Sequence, residues 1–189
     1  MSDEAIEQEA YTPQFAEEWE KNPMKKPRLA ALLINASVGE SGPRFERAKE
    51  ILRQITKKEP VDRAARQSIR GFAIRKGEPI AALITLRGED AKVMLKRFLY
   101  ANDYIIRASS FDQQGNFAFG ITEHVDIENA PFDPTLGTIG FNVVVKLERP
   151  GYRLKYRQRK RKKIPKKHLL TPSEAMEYMI TEFGVTIER

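Results

Sequence analysis

The side chains best suited by type to chemistry are Glu123, His124 and Asp126, in the run Glu123-His124-Val125-Asp126. A carboxylate beside an imidazole can exchange protons near neutral pH, and the same groups can ligate a metal. The surrounding sequence predicts a strand, which puts His124 and Asp126 on one face and Glu123 on the other. Two groups on one face are too few for a metal site or an acid–base constellation. Val38-Gly39-Glu40-Ser41-Gly42-Pro43 has the glycines of a phosphate loop. It lacks the Gly-Lys-Ser/Thr that would hold phosphates and magnesium, so an NTPase is excluded. There is no cysteine, which removes disulfides and thiolate metal ligands. No catalytic residue, metal ligand or cofactor is assigned.

The remaining chemistry is ionic. Eleven Lys or Arg and no Asp or Glu lie between Arg149 and Lys167, in a chain of net charge +7. Outside that stretch 22 basic side chains face 26 acidic ones, a net of −4. Cations crowded in this way repel one another, so a polyanionic partner is the physical reason to tolerate them. Tyr152 and Tyr156 sit among them and offer flat faces on which bases can stack. The bland alternative is a solvated basic tail that holds anions loosely. A membrane surface fits poorly. The run has few apolar partners, Tyr152, Leu154, Tyr156 and Ile164, and they form no amphipathic stripe. No apolar run reaches the ~18 residues of a membrane span. The first ten residues are acidic and lack a signal-peptide core, so a soluble, intracellular protein is expected.

These groups need a scaffold. Residues 1–21 carry seven acidic side chains and one basic, and read as an acidic extension, partly disordered. Within it Thr12-Pro13 can cap a short helix carrying Phe15, Ala16 and Trp19. Arg28 to Ala36 is a nearly continuous apolar run, a buried strand, with Asn35 near its end. Pro43 opens a helix with Phe45, Ala48, Ile51, Leu52 and Ile55 on one face. From Val61 to Leu86 a long hairpin is expected, with strands near 66–75 and 79–86 and a turn at Lys76-Gly77-Glu78-Pro79. Gly71 marks a bulge or bend in its first arm. Five basic and no acidic side chains lie from Arg63 to Lys76, which suits an extended basic arm or an ordinary solvated hairpin. The second arm is apolar enough for a central strand, and Thr85 faces opposite to Ile84 and Leu86. Gly88 opens a second helix, burying Ala91, Met94, Leu95, Phe98 and Leu99. Phe117 to Ile121 and Ile139 to Glu148 read as strands. Thr171-Pro172-Ser173-Glu174 is a capping box for a last helix, carrying Ala175, Met176, Met179, Ile180 and Phe183 up to Gly184. The expected fold is α+β: a mainly antiparallel sheet of about five strands with helices on one face, leaving the other free for a partner.

Several segments resemble the large-subunit ribosomal protein family that binds 5S rRNA. They are Asn22-Pro23-Met24, Ile34 to Gly42, Ile69-Arg70-Gly71-Phe72-Ala73-Ile74-Arg75, Thr85-Leu86-Arg87-Gly88, Ser109 to Asp126, and Glu148 to Tyr152 with the basic run behind it. They occur in order and at family spacing over residues 22–188. The wording from Phe119 to Asp126 and the long basic run are similar to the archaeal and eukaryotic branch, with the length of an archaeal member. The resemblance implies one RNA-binding domain over 22–189 and a structural role rather than an enzyme. It implies that Asn35, Lys58, Phe72 and Thr85 contact 5S rRNA. It implies that Arg70, Arg75 and Lys76, in the loop from Ser68 to Ala81, contact the peptidyl-site tRNA. Arg153, Lys155, Arg157, Arg159, Lys160, Arg161, Lys162 and Lys163 are then the expected rRNA phosphate contacts. The implied partners also include 23S rRNA and neighbouring proteins of the central protuberance, on the cytoplasmic ribosome. Ala36-Ser37 stands where many relatives have Ile-Gly. A non-specific nucleic-acid chaperone would use the same basic residues without a preference for 5S rRNA.

Overall fold

The computed structural model describes residues 15–128, 130–131 and 133–188. Its frame is a five-stranded antiparallel sheet built from β1 (Arg28–Ser37), β2 (Val61–Ala64), β3 (Pro79–Leu86), β5 (Phe117–Ile121) and β6 (Phe141–Glu148). The strands lie in the order β2-β3-β1-β6-β5. Three helices of twelve residues or more accompany them: α2 (Pro43–Thr56), α3 (Glu89–Tyr100) and α5 (Pro172–Phe183). The α+β class expected from the sequence is the class observed.

The sheet register divides the strands into two faces. Leu32, Ile34, Ile84, Leu86, Val143, Val145, Phe117 and Ile121 turn inward and are buried. They pack with Phe45, Leu52 and Ile55 of α2, Leu95, Phe98 and Leu99 of α3, and Ala175 and Met179 of α5, in one continuous core. The opposite face carries Leu33, Asn35 and Ser37 of β1, Leu83 and Thr85 of β3, Asn142, Val144 and Lys146 of β6, and Gly120 of β5. It is the more polar side, and none of the long helices joins the core from it.

The helices form where the spacing says they should. α2 buries Phe45, Ala48, Ile51, Leu52 and Ile55, and α3 buries Ala91, Met94, Leu95, Phe98 and Leu99. α5 begins with the expected capping box between Thr171 and Glu174 and ends at Gly184, whose φ of +66° suits a residue without a side chain. Its buried face is rotated from expectation. Glu174, Glu177 and Tyr178 are buried, whereas Met176 and Ile180 are only partly so. The cause is a short helix, α1 (Ala16–Lys21), laid against it: Trp19 meets Tyr178 edge-on at 6.5 Å, and the Phe15 amide donates to Glu177. Thr12, Pro13 and the first ten residues lie outside the described residues.

Two further expectations are corrected. The segment 66–75 is not a strand. The partner of β3 is the four-residue β2, and residues 65–78 form a loop pinched by a bridge between Ile69 and Ile74, with a 3₁₀ turn at Arg70–Phe72. Gly71 lies in that turn, a bend rather than a bulge. His124–Asp126 is likewise a 3₁₀ turn, not a strand. A two-stranded parallel ladder, β4 (Ile105–Arg107) with β7 (Thr186–Glu188), was not foreseen.

Candidate nucleic-acid interface

The polar sheet face has two distinct ends. At one end, Asn35 of β1 lies opposite Asn142 of β6, which lies opposite Gly120 of β5. These residues, with Ser37, Thr122 and Gly140, line an open hollow of about 310 Å³. Asn35 Nδ2 donates to Ser37 Oγ at 2.9 Å, so its carboxamide is oriented by its own strand. A Cβ on Gly140 would lie 2.7 Å from the Thr122 carbonyl oxygen, so this wall admits only glycine without moving backbone. Thr85 sits further along the face, opposite Leu33 and alternating with the buried Ile84 and Leu86 as expected.

The loop 65–78 leaves the sheet at the same end as Asn35, because β3 aligns Ala81 with Ser37. Phe72 is 73% exposed on it, and Arg70, Arg75 and Lys76 are exposed beside it. Two contacts shape the loop: the Lys76 amide donates to Ser68 Oγ, and the Arg75 amide to the Glu78 carboxylate. Phe72 is therefore beyond the end of the sheet face, not on it. Lys58 departs further. It lies at the junction of α2 and β2, and its ammonium is 2.7 Å from Asp90 in the first turn of α3. The fold brings Asn35 and Thr85 onto one face and leaves Lys58 outside it.

At the other end of the face stands the cationic stretch. It is an anchored loop, not a solvated tail. Arg149 is buried in an ion pair with Glu174 of α5. The Tyr152 hydroxyl accepts from the Leu170 amide and donates to the His168 carbonyl oxygen, and the His168 ring contacts the Pro150 carbonyl oxygen at 2.9 Å. Tyr152 is buried, which corrects its expected role as a stacking face; Tyr156 is exposed. Between these anchors a one-turn helix, α4 (Arg153–Tyr156), is followed by a loop closed from the Lys162 amide to the Leu154 carbonyl oxygen. Lys155 lies over both the Tyr152 and Tyr156 rings, at 4.5 and 4.9 Å. Arg153, Arg159, Lys160, Arg161, Lys162 and Lys163 are exposed, while Lys155 and Arg157 are partly covered.

One polar cluster fastens α4 to the sheet. The Tyr156 hydroxyl donates to Glu148 at 2.9 Å, and Lys146 is 2.8 Å from the same carboxylate. Burial alone would raise the Glu148 carboxyl, but the hydrogen bonds from Lys146 and Tyr156 prevail and hold it below the usual range. Sequence reasoning missed this cluster, although the alternation of Lys146 and Glu148 along one strand could have suggested a shared face.

His124, the strongest catalytic candidate by type, is buried at 1% exposure. Its Nδ1 accepts from the Ile139 amide at 3.4 Å. Burial pushes its pKa down, against smaller opposing effects from Glu123, a hydrogen bond to the Pro131 backbone and Asp126. It acts as a neutral pin between the turn and the strand beyond. No group of three or more metal-ligating side chains occurs among the described residues.

The architecture is thus an α+β domain with one sheet face clear of long helices and a cationic loop at each end of it. Residues 22–75 match the family model described as "Ribosomal protein L5", and residues 79–178 match the model of the C-terminal part of the same ribosomal protein family. "Large ribosomal subunit protein uL5" of Aeropyrum pernix is 43% identical over 174 residues, covering 92% of this chain and 91% of the relative. The protein of the same name from Methanococcus maripaludis is 43% identical over 178 residues, covering 93% and 98%. That of Nitrosopumilus maritimus is 41% identical over 167 residues, covering 88% and 96%. The chain belongs to the ribosomal protein L5 family, in its archaeal type. Its relatives are ribosomal proteins, structural components rather than enzymes.

Proposed function

We propose that this protein is a structural constituent of the large ribosomal subunit that binds 5S rRNA through its open sheet face. It helps attach 5S rRNA to 23S rRNA in the central protuberance, beside neighbouring ribosomal proteins. Through the loop 68–81 it contacts the peptidyl-site tRNA. It acts on the ribosome, in the cytoplasm. Membership of the family supports the ribosomal role, since relatives carry the name of a large-subunit protein. The observation that carries the RNA reading is the alignment of a polar sheet face between two cationic loops.

The division of labour follows from chemistry. Asn35 presents a carboxamide, able to donate and accept at a base edge, and Thr85 a hydroxyl. Phe72 offers an exposed ring to an unstacked base. Arg70, Arg75 and Lys76, exposed on the loop, would meet phosphates of a second RNA. Arg153 through Lys163 supply the phosphate contacts that position without reading sequence. Lys58 can contribute only by exchanging Asp90 for a phosphate.

The test is binding to transcribed 5S rRNA at physiological salt with excess tRNA as competitor. Binding that survives the competitor supports the specific reading. Binding that the competitor abolishes supports a general nucleic-acid chaperone instead.

A further inference from the structure

A second hollow, of about 640 Å³, lies at the opposite end of the sheet from Asn35 and is lined by Arg28, Gly151, Arg153, Leu154 and Arg157. Arg28, the first residue of β1, follows Lys25 and Lys26 and lies more than a hundred residues before the basic stretch; the fold brings it beside the other two arginines. Its cross-strand partner is Glu148, whose carboxylate is committed to Lys146 and Tyr156. Among the described residues neither Arg28 nor Arg153 has an acidic partner. The Arg157 Nε–H donates to the Lys160 carbonyl oxygen at 2.8 Å, which fixes the plane of its guanidinium and leaves its outer nitrogens available. Gly151 has a φ of +96°, a conformation that L side chains rarely adopt. Leu154 supplies an apolar wall.

We propose that this hollow is a nucleotide pocket: it takes one RNA phosphate on the three guanidiniums and the attached base against Leu154 and the arginine planes. Three cationic side chains that line one hollow from two chain segments repel one another, and an anion among them relieves that repulsion. Guanidinium is suited to this ligand because its planar fork matches two phosphate oxygens at once and stacks on bases. The volume falls within the roughly 300–1,000 Å³ of pockets that hold small ligands, more than a single phosphate needs. Arg28 is therefore a specific contact, not one more unit of surface charge. The pocket rests on the reading above only for which RNA it serves.

The experiment compares the full-length protein with Arg28→Gln, Arg28→Lys and the matched single-charge control Lys166→Gln, each checked for an unchanged melting curve. Binding to 5S rRNA is measured across a salt series. Lys166→Gln removes at most one phosphate contact and should cost about two- to threefold at physiological salt. Arg28→Gln should cost about tenfold or more, the scale of a hydrogen bond to a charged group, with part of the loss independent of salt. Arg28→Lys should recover only part of it. In parallel, a hexauridylate RNA is titrated into isotope-labelled protein while the arginine Nε–H resonances are followed. Those of Arg28, Arg153 and Arg157 should move together. Losses equal to that of Lys166→Gln, full rescue by lysine, or arginine resonances that do not move would each overturn the pocket. Loss of preference for 5S rRNA over tRNA in the unaltered protein would overturn the proposed function instead, while coincident shifts of the three resonances would still establish the pocket.

Discussion

Arg149, the first cation of the basic stretch, forms the most buried ion pair among the described residues with Glu174, the capping acid of α5. One carboxylate thereby holds both the start of a helix and the root of the cationic loop. Arg149→Met would leave a buried carboxylate without its cation, and should cost about 3–5 kcal/mol in chemical denaturation. The double variant Arg149→Met/Glu174→Gln should lose less than the single one, because no uncompensated charge remains and the amide can still accept at the cap. A double variant that is less stable than Arg149→Met would show that the pair contributes more than the removal of unpaired charge.

His124 sets a pH dependence. Its folded pKa lies below the ordinary ~6.5 because the ring is buried. The folded state therefore binds fewer protons than the unfolded one as pH falls below that value. Stability should be fully retained above about pH 6.5 and decline progressively as pH falls through the folded pKa. His124→Gln keeps a donor and an acceptor and should flatten this decline, at some cost in packing. Unfolding free energies compared at pH 7.5 and pH 5.5 test it; equal pH dependence in both proteins would assign the decline to other groups.

The parts of this fold that were legible in the sequence are those whose signal is local. The faces of α2 and α3 follow from apolar spacing alone, and the capping box of α5 is written in Thr171 to Glu174. Thr85 could be placed opposite to Ile84 because strand periodicity admits no other arrangement. β2 was hidden because all four of its residues are exposed, leaving no alternation to read. Ile69, Phe72 and Ile74 gave the stronger strand signal, yet they only pinch a loop. β4 and β7 are three residues each and depend on pairing across about eighty positions. The site divides in the same way. Asn35 and Thr85 could be placed from strand position, whereas the burial of Tyr152, the capture of Lys58 by Asp90 and the convergence of Arg28 with Arg153 and Arg157 are tertiary facts.

The basic loop and the sheet face should fail differently. Replacing Arg159, Lys160 and Arg161 with Gln should weaken binding to 5S rRNA and to tRNA alike. It should lower the dependence of log affinity on log salt by roughly 0.7–0.9 for each phosphate that is no longer neutralised. Asn35→Ala and Phe72→Ala should leave that slope nearly unchanged and reduce the ratio of 5S rRNA to tRNA affinity. Salt titrations on both RNAs separate the two effects, and equal losses of specificity from both sets would end the distinction between positioning and reading.

Gly140 gives the sharpest single-residue test of the Asn35 end. A Cβ there would lie 2.7 Å from the Thr122 carbonyl oxygen and 3.1 Å from that of Ile121, both backbone atoms that cannot swing aside like a side chain. Gly140→Ala must therefore push the Ile121–Thr122 segment away from the start of β6, and should cost about 1–3 kcal/mol, the usual penalty of overpacking. Because Gly120, Ile121, Thr122 and Asn142 line the same hollow, the displacement should also lower 5S rRNA preference while the salt slope, set by the distant basic loop, stays as it was. Gly120→Ala is the companion variant, since its Cβ would approach only the Asn142 side-chain oxygen, at 3.4 Å. It should leave stability nearly intact yet narrow the hollow. Reduced preference in both variants would assign recognition to the hollow itself; reduced preference in Gly140→Ala alone would trace it to the fold beneath.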